Sequence, residues 1–192
     1  MRNRIRVCIH PGYLLYFAAC VLFLPIKIIL AWMAATIIHE LGHICCILLL
    51  KKEIYSVQFG VFGAQINTET LGIWQEMISA MAGPLSAIFI LPFIKKFPIV
   101  TMFCILQSIY NLIPVYPMDG GRVVVGVLVY FAGRKRAIKI YIIFIMILML
   151  LFLAGIVYIS IRYSLGLLPL ILIVIMIIKI KLTCKEWLQE VK

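Results

Sequence analysis

Residues 39–43 read His39-Glu40-Leu41-Gly42-His43, the pattern HExxH. On a helix, residues four apart share a face, so both imidazoles can grip one ion. Glu40, beside the first of them, stands where a general base for an activated water belongs. From the chain's own His and Glu content, chance produces this pattern roughly once in a thousand such sequences. It also interrupts a long apolar run, "ATIIHELGHICCILLL". Ionisable side chains at membrane depth are rare unless they do something, so the spacing points to a metal site inside a membrane.

Two imidazoles leave a catalytic zinc ion one protein ligand short, its fourth position being kept for water. His10, in "IHPG", is the one other histidine. Glu53, Glu69, Glu76, Glu186 and Glu190 fall in expected loops or the tail. Cys46 shares a helical face with His39 and His43, but three ligands from one straight helix converge poorly on a tetrahedron. Asp119, in "NLIPVYPMDGGR", lies beside a broken helix near a span end and is the candidate third ligand. Pro-Met-Asp-Gly-Gly is also what a turn leaving the membrane looks like. Both readings hold together: Pro114 and Pro117 break the helix, and irregular backbone at membrane depth is tolerated against protein or a water-filled cavity.

The elements that must position these residues are apolar helices. The chain has 192 residues, 65% hydrophobic and 13% charged, with a mean hydropathy of +1.16. That excludes an ordinary soluble domain, and the first apolar stretch is not expected to be a cleaved signal peptide, because more follow it. The net charge of +11 comes without a basic surface interleaved with aromatics, so no nucleic-acid partner is expected. The six cysteines show no CxxC spacing, and no disulfides are expected.

Six spans are expected, at about 13–24, 28–50, 77–94, 99–115, 140–161 and 164–180, given the ~20 apolar residues a membrane-crossing helix needs. Between the second and third, "YSVQFGVFGAQINTE" alternates apolar and polar positions and predicts a short strand or hairpin. The fold class is therefore an all-α membrane protein, a polytopic bundle of about six transmembrane helices with a short membrane-associated β-hairpin between helices 2 and 3.

With the N-terminus cytoplasmic, all of the 18 Lys and Arg except Lys27, Lys95, Lys96 and Arg162 fall on the cytoplasmic side, which supports the span count and the direction. Both termini are then cytoplasmic. At 1.5 Å per residue His43 lies about 10 Å inside the cytoplasmic end of its span. Asp119 follows a span that exits on the same side. The two motifs are expected to meet.

These residues resemble the site-2 protease family of intramembrane zinc metalloproteases. The resemblance rests on His39-Glu40-Leu41-Gly42-His43, on Ala82-Gly83-Pro84-Leu85, and on Asn111, Pro114, Pro117, Asp119, Gly120 and Gly121 in that order, over about residues 8–135. The opening "CIHPGYLLYF" and the compact size are similar to the stage IV sporulation protein FB group. The resemblance implies that His39, His43 and Asp119 hold one catalytic Zn2+ and that Glu40 is the general base. It implies that Asn111 helps hold the substrate backbone or the developing oxyanion; a buried polar residue bonded inside a helix bundle is the other reading of Asn111. Residues 55–66 align with a segment that pairs with an extended substrate. Ser86 and Ala87 stand where many relatives carry a polar pair. Implied partners are a membrane-tethered substrate, such as a transcription-factor or sigma-factor precursor, and a membrane regulatory protein, in a bacterial cytoplasmic membrane. One integral membrane protease domain over 1–192 is expected, with a catalytic core at about 28–122, helices 5 and 6 at about 139–182, and no PDZ or CBS domain.

Two other classes can use the same residues. A membrane metal-ion transporter needs several ion-binding stations along a path, and one cluster is on offer here. A catalytically silent binder of transmembrane partners has no use for Glu40.

Overall fold

A computed structural model of the chain describes residues 6–60, 63–163 and 174. A short strand, β1 (Arg6–Ile9), leads into helix α1 (Pro11–Phe23) and the long helix α2 (Ile26–Leu49). Proline punctuates these starts. Pro11 opens α1, where its missing N–H costs nothing, and the His10 ring nitrogen Nδ1 accepts the Gly12 N–H at 3.2 Å to cap it. Pro25 separates α1 from α2.

Strands β2 (Ile54–Gly60) and β3 (Gly63–Thr68) follow, then helix α3 (Ile73–Leu85), which tightens into two short 3-10 turns, Ser86–Phe89 and Leu91–Phe93. Pro84 lies inside α3 and cannot donate to the preceding turn, which is why the helix changes pitch there. The Ser108 hydroxyl accommodates the change by donating to the Pro84 carbonyl at 2.9 Å. Helix α4 (Pro98–Asn111) is followed by an irregular segment carrying a cis Tyr116–Pro117 bond, then by α5 (Asp119–Ala132) and α6 (Arg134–Tyr163).

Three helical stretches among the described residues are long and apolar enough to cross a membrane: Ile26–Leu49, Ile73–Phe93 and Arg134–Ser160. Pro11–Phe23 and Pro98–Asn111 are shorter apolar helices. Their outer faces expose Leu22, Phe23, Leu49, Phe89 and Leu150, as lipid contact requires. The chain is an integral membrane protein of polytopic helical type. The expected sixth span, 164–180, falls outside the described residues but for Val174.

The chain divides into two compact units, Met1–Pro114 with Met118–Gly126, and Val115–Pro117 with Val127–Lys192. In the first, α2 packs against α3, the 3-10 turn after it and α4; Ala35 of α2, Ala87 of that turn and Cys104 of α4 form one buried cluster of small residues. A Cβ on Gly42 would sit 2.5 Å from the Ala82 carbonyl oxygen, so the α2–α3 contact is closer than any other residue allows. In the second unit, Ala137, Ile138, Tyr141 and Ile145 form a buried stripe on α6, and the Tyr116 N–H donates to the Tyr141 hydroxyl at 2.6 Å.

Three expectations are corrected. The hairpin β2–β3 is present, antiparallel with Val57 opposite Ile66, but it is part of a three-stranded sheet in the order β1-β2-β3. β1 pairs with β2 in parallel, Val7 opposite Val57; four residues beside a basic terminus are too few to show a period. Second, Asp119, Gly120 and Gly121 of the expected turn begin a helix, Asp119–Ala132, in the interval between the expected fourth and fifth spans. Gly120 is there for close approach rather than chain reversal: a Cβ on it would collide with the Leu112 carbonyl. Third, Glu76 lies in the first turn of α3, not in a loop.

Candidate metal centre

The buried residues of α2 include Ala31, Ala35, His39, His43 and Ile47, one every fourth position. That ridge faces the neighbouring helices, so both imidazoles are carried to the interior by the same pattern that packs the alanines. One turn beyond His43, Ile47 packs on Ile54 and Val57 of β2, which seats the sheet under this end of the helix. Asp119 arrives from α5, of which it is the first residue. The close contact of Gly120 with the end of α4 turns the chain so that this carboxylate enters the bundle. His39, His43 and Asp119 are only 5%, 6% and 6% exposed.

Three electron-pair donors converge. His39 Nε2 lies 3.1 Å from Asp119 Oδ2 and 3.3 Å from His43 Nε2, and His43 Nε2 lies 3.3 Å from the same carboxylate oxygen. Zinc bonds of about 2.0–2.1 Å at tetrahedral angles put ligand atoms about 3.3 Å apart, so the triangle has the size of one face of a zinc tetrahedron. The two rings meet edge to face at 81°, which aims their nitrogens at a common point instead of stacking them. His43 Nδ1 donates to the Ser79 carbonyl at 2.7 Å, leaving the Nε2 lone pair of the neutral ring directed inward. A Cβ on Gly83 would collide with His43 Nε2 and lie 2.8 Å from His39 Nε2, so α3 is bare where the donors meet. The donor set fits a zinc ion.

The other oxygen of Asp119 is engaged from outside. Arg122 Nη1 lies 3.4 Å from Oδ1, and the same guanidinium donates from Nε and Nη2 to Glu76 Oε1 of α3 at 2.9 and 2.8 Å.

The motif residues thus meet as expected from their common depth. Glu40 follows His39 on α2 and is half-buried. Asn111 ends α4, with its amide donating to the Gln107 carbonyl at 3.1 Å. His10 caps α1 and Cys46 is outside the cluster, so neither rival ligand takes part. The Ser86 hydroxyl is spent on the Gly83 carbonyl at 2.6 Å. Ser79 and Arg122 carry no functional signal in the sequence, and Glu76 stands there among the expected loop residues. The spacing 76, 79, 83 places Glu76, Ser79 and Gly83 on one helical face, a signal that exists once the start of α3 is known.

No protein-family model matches the chain. A solved structure, the site-2 protease from Methanocaldococcus jannaschii, superposes with a TM-score of 0.61 over 84% of this chain and 85% of that one, at 20% identity. The fold is that of a site-2 protease. In sequence, the chain is 26% identical over 132 residues to stage IV sporulation protein FB of Bacillus subtilis (strain 168). That match covers 62% of this chain and 46% of the relative, so it spans less than half of the relative's length. The resemblance read from the three motifs holds in sequence and in fold.

Proposed function

We propose that the chain is an intramembrane zinc metalloprotease that hydrolyses peptide bonds of membrane-tethered proteins. The observation that carries this reading is the triangle of His39, His43 and Asp119 donor atoms, 3.1 to 3.3 Å on each side, buried among apolar helices with Glu40 alongside. When bound, a zinc ion supplies Lewis acidity: it makes water a nucleophile near neutral pH and polarises the carbonyl under attack. His39, His43 and Asp119 hold the ion. Glu40 accepts the proton of the attacking water and returns it to the leaving amine. Asn111 offers its amide to the substrate backbone or the developing oxyanion.

A substrate helix must unwind first, because its carbonyls are shielded by its own hydrogen bonds. β2 is paired on both sides, so an extended substrate adds at an outer edge, and β3 is the edge strand that overlaps the expected segment, at residues 63–66. The catalytic core is residues 28–122. The Lys and Arg distribution supports cytoplasmic termini and a site opening to the cytoplasmic side, and the Bacillus relative supports a bacterial membrane. A transcription-factor or sigma-factor precursor is the kind of substrate this reading implies.

Purified protein incubated with a single-span helix fused to a reporter tests it. Cleavage that stops with a zinc chelator and returns with added zinc is expected. Chelator-insensitive cleavage overturns the metal role, and zinc uptake into sealed vesicles without cleavage would make the chain a transporter.

A further inference from the structure

Helix α3 gives no ligand to the cluster, yet one face of it governs all three. Ser79 orients the His43 ring through its carbonyl, and Gly83 leaves room for the Nε2 atoms of both rings. Glu76, on the same face, reaches Asp119 through Arg122. A guanidinium is planar, with donors in a rigid fork, so it can hold two carboxylates at once in a set geometry, which an ammonium cannot. Here Nε and Nη2 share Glu76 Oε1, and Nη1 is left to face Asp119 Oδ1. With Oδ1 occupied, Asp119 presents Oδ2 alone to the two imidazoles.

Resting on the metal-site reading above, we propose that Glu76 and Arg122 form a latch that orients the Asp119 carboxylate for one-oxygen binding of the metal. The Glu76–Ser79–Gly83 face of α3 is then the template on which all three metal-binding side chains are aligned. Arg122 and Glu76 are positioning residues, since neither touches the point where the donors converge. The plainer alternative is a salt bridge that merely ties α3 to α5. The Arg122 and Glu76 side chains are 27% and 40% exposed, so Coulomb attraction between them is screened and geometry is what the pair contributes.

The two roles separate in metal binding. Purified wild type, Glu76→Gln, Glu76→Ala and Arg122→Gln are titrated with zinc against a competing chelator, and with cobalt(II) while the visible spectrum is recorded. Helicity and thermal unfolding of each metal-free protein are measured alongside. Outer-shell partners of metal ligands are worth about 10–100-fold in affinity, and a loss of that size is expected in Glu76→Ala and Arg122→Gln. A changed cobalt spectrum should accompany it. Glu76→Gln keeps the Oε1 acceptor and should bind nearly as wild type. If Arg122→Gln does not fold, the Glu76 pair decides. Wild-type zinc affinity and an unaltered cobalt spectrum in Glu76→Ala, even with lowered thermal stability, would overturn the latch and leave a structural tie. Failure of the metal reading looks different: wild type itself would bind neither ion, or His43→Ala would bind as tightly.

Discussion

Glu40 and His39 are neighbours in the chain in different settings: the imidazole is buried against Asp119, and the carboxylate next to it is half-buried and outside the donor triangle. Glu40→Gln should therefore leave zinc bound while cleavage falls by the roughly 10²–10⁴-fold that general acid–base catalysis contributes. Metal analysis and cleavage of a tethered substrate, made on one preparation, check both halves; retained turnover refutes the general-base role. Gly83→Ala should instead lose zinc, and cleavage with it, although His39, His43 and Asp119 are all kept, because its methyl group would collide with His43 Nε2. Zinc bound at full stoichiometry in that variant would show that the rings can move away. The clustering of His39, His43 and Asp119 was legible because HExxH has a mechanical meaning and the chain has a single aspartate beside its proline break. The latch was not: Arg122 and Glu76 are 46 residues apart, and nothing local to either names its partner.

Among the elements, α2 was the most readable, because a long apolar stretch with histidines four apart is at once a span and a face. α5 was the least. "DGGRVVVGVLVYFA" opens with a turn signature and continues with β-branched residues, yet tertiary contacts make it a helix: Gly120 lets it abut the end of α4, and a Cβ on Gly126 would clash with Met77. The same economy of small residues joins α2 to α3. Gly42→Ala would press a methyl group toward the Ala82 carbonyl oxygen, 2.5 Å from the Cβ position, and rigid backbone cannot yield as a side chain does. A destabilisation of about 1–3 kcal/mol is expected, as for other overpacked sites, measured by thermal unfolding of the detergent-solubilised protein. An unchanged midpoint would mean that the helices are less closely apposed than described. The sheet was half legible, since alternation betrays a hairpin, whereas a parallel partner some fifty residues upstream leaves no mark on either strand.

At the scale of the whole molecule, a polar cluster inside a membrane protein must be reconciled with apolar surroundings. The chain does so by gathering His39, His43 and its one aspartate into a single buried cluster whose donor atoms converge, with helix α3 packed alongside and accepting from His43. Apolar side chains face outward elsewhere. The membrane class was evident from composition, and the meeting of the two motifs from their common depth, because both follow from span length and charge asymmetry. Zinc content per chain, measured on purified wild type, Glu40→Gln and Asp119→Asn, tests the central claim most directly. One zinc ion in the first two and severe depletion in the third are expected. Metal-free wild type, or full zinc loading in Asp119→Asn, would contradict a centre built from His39, His43 and Asp119.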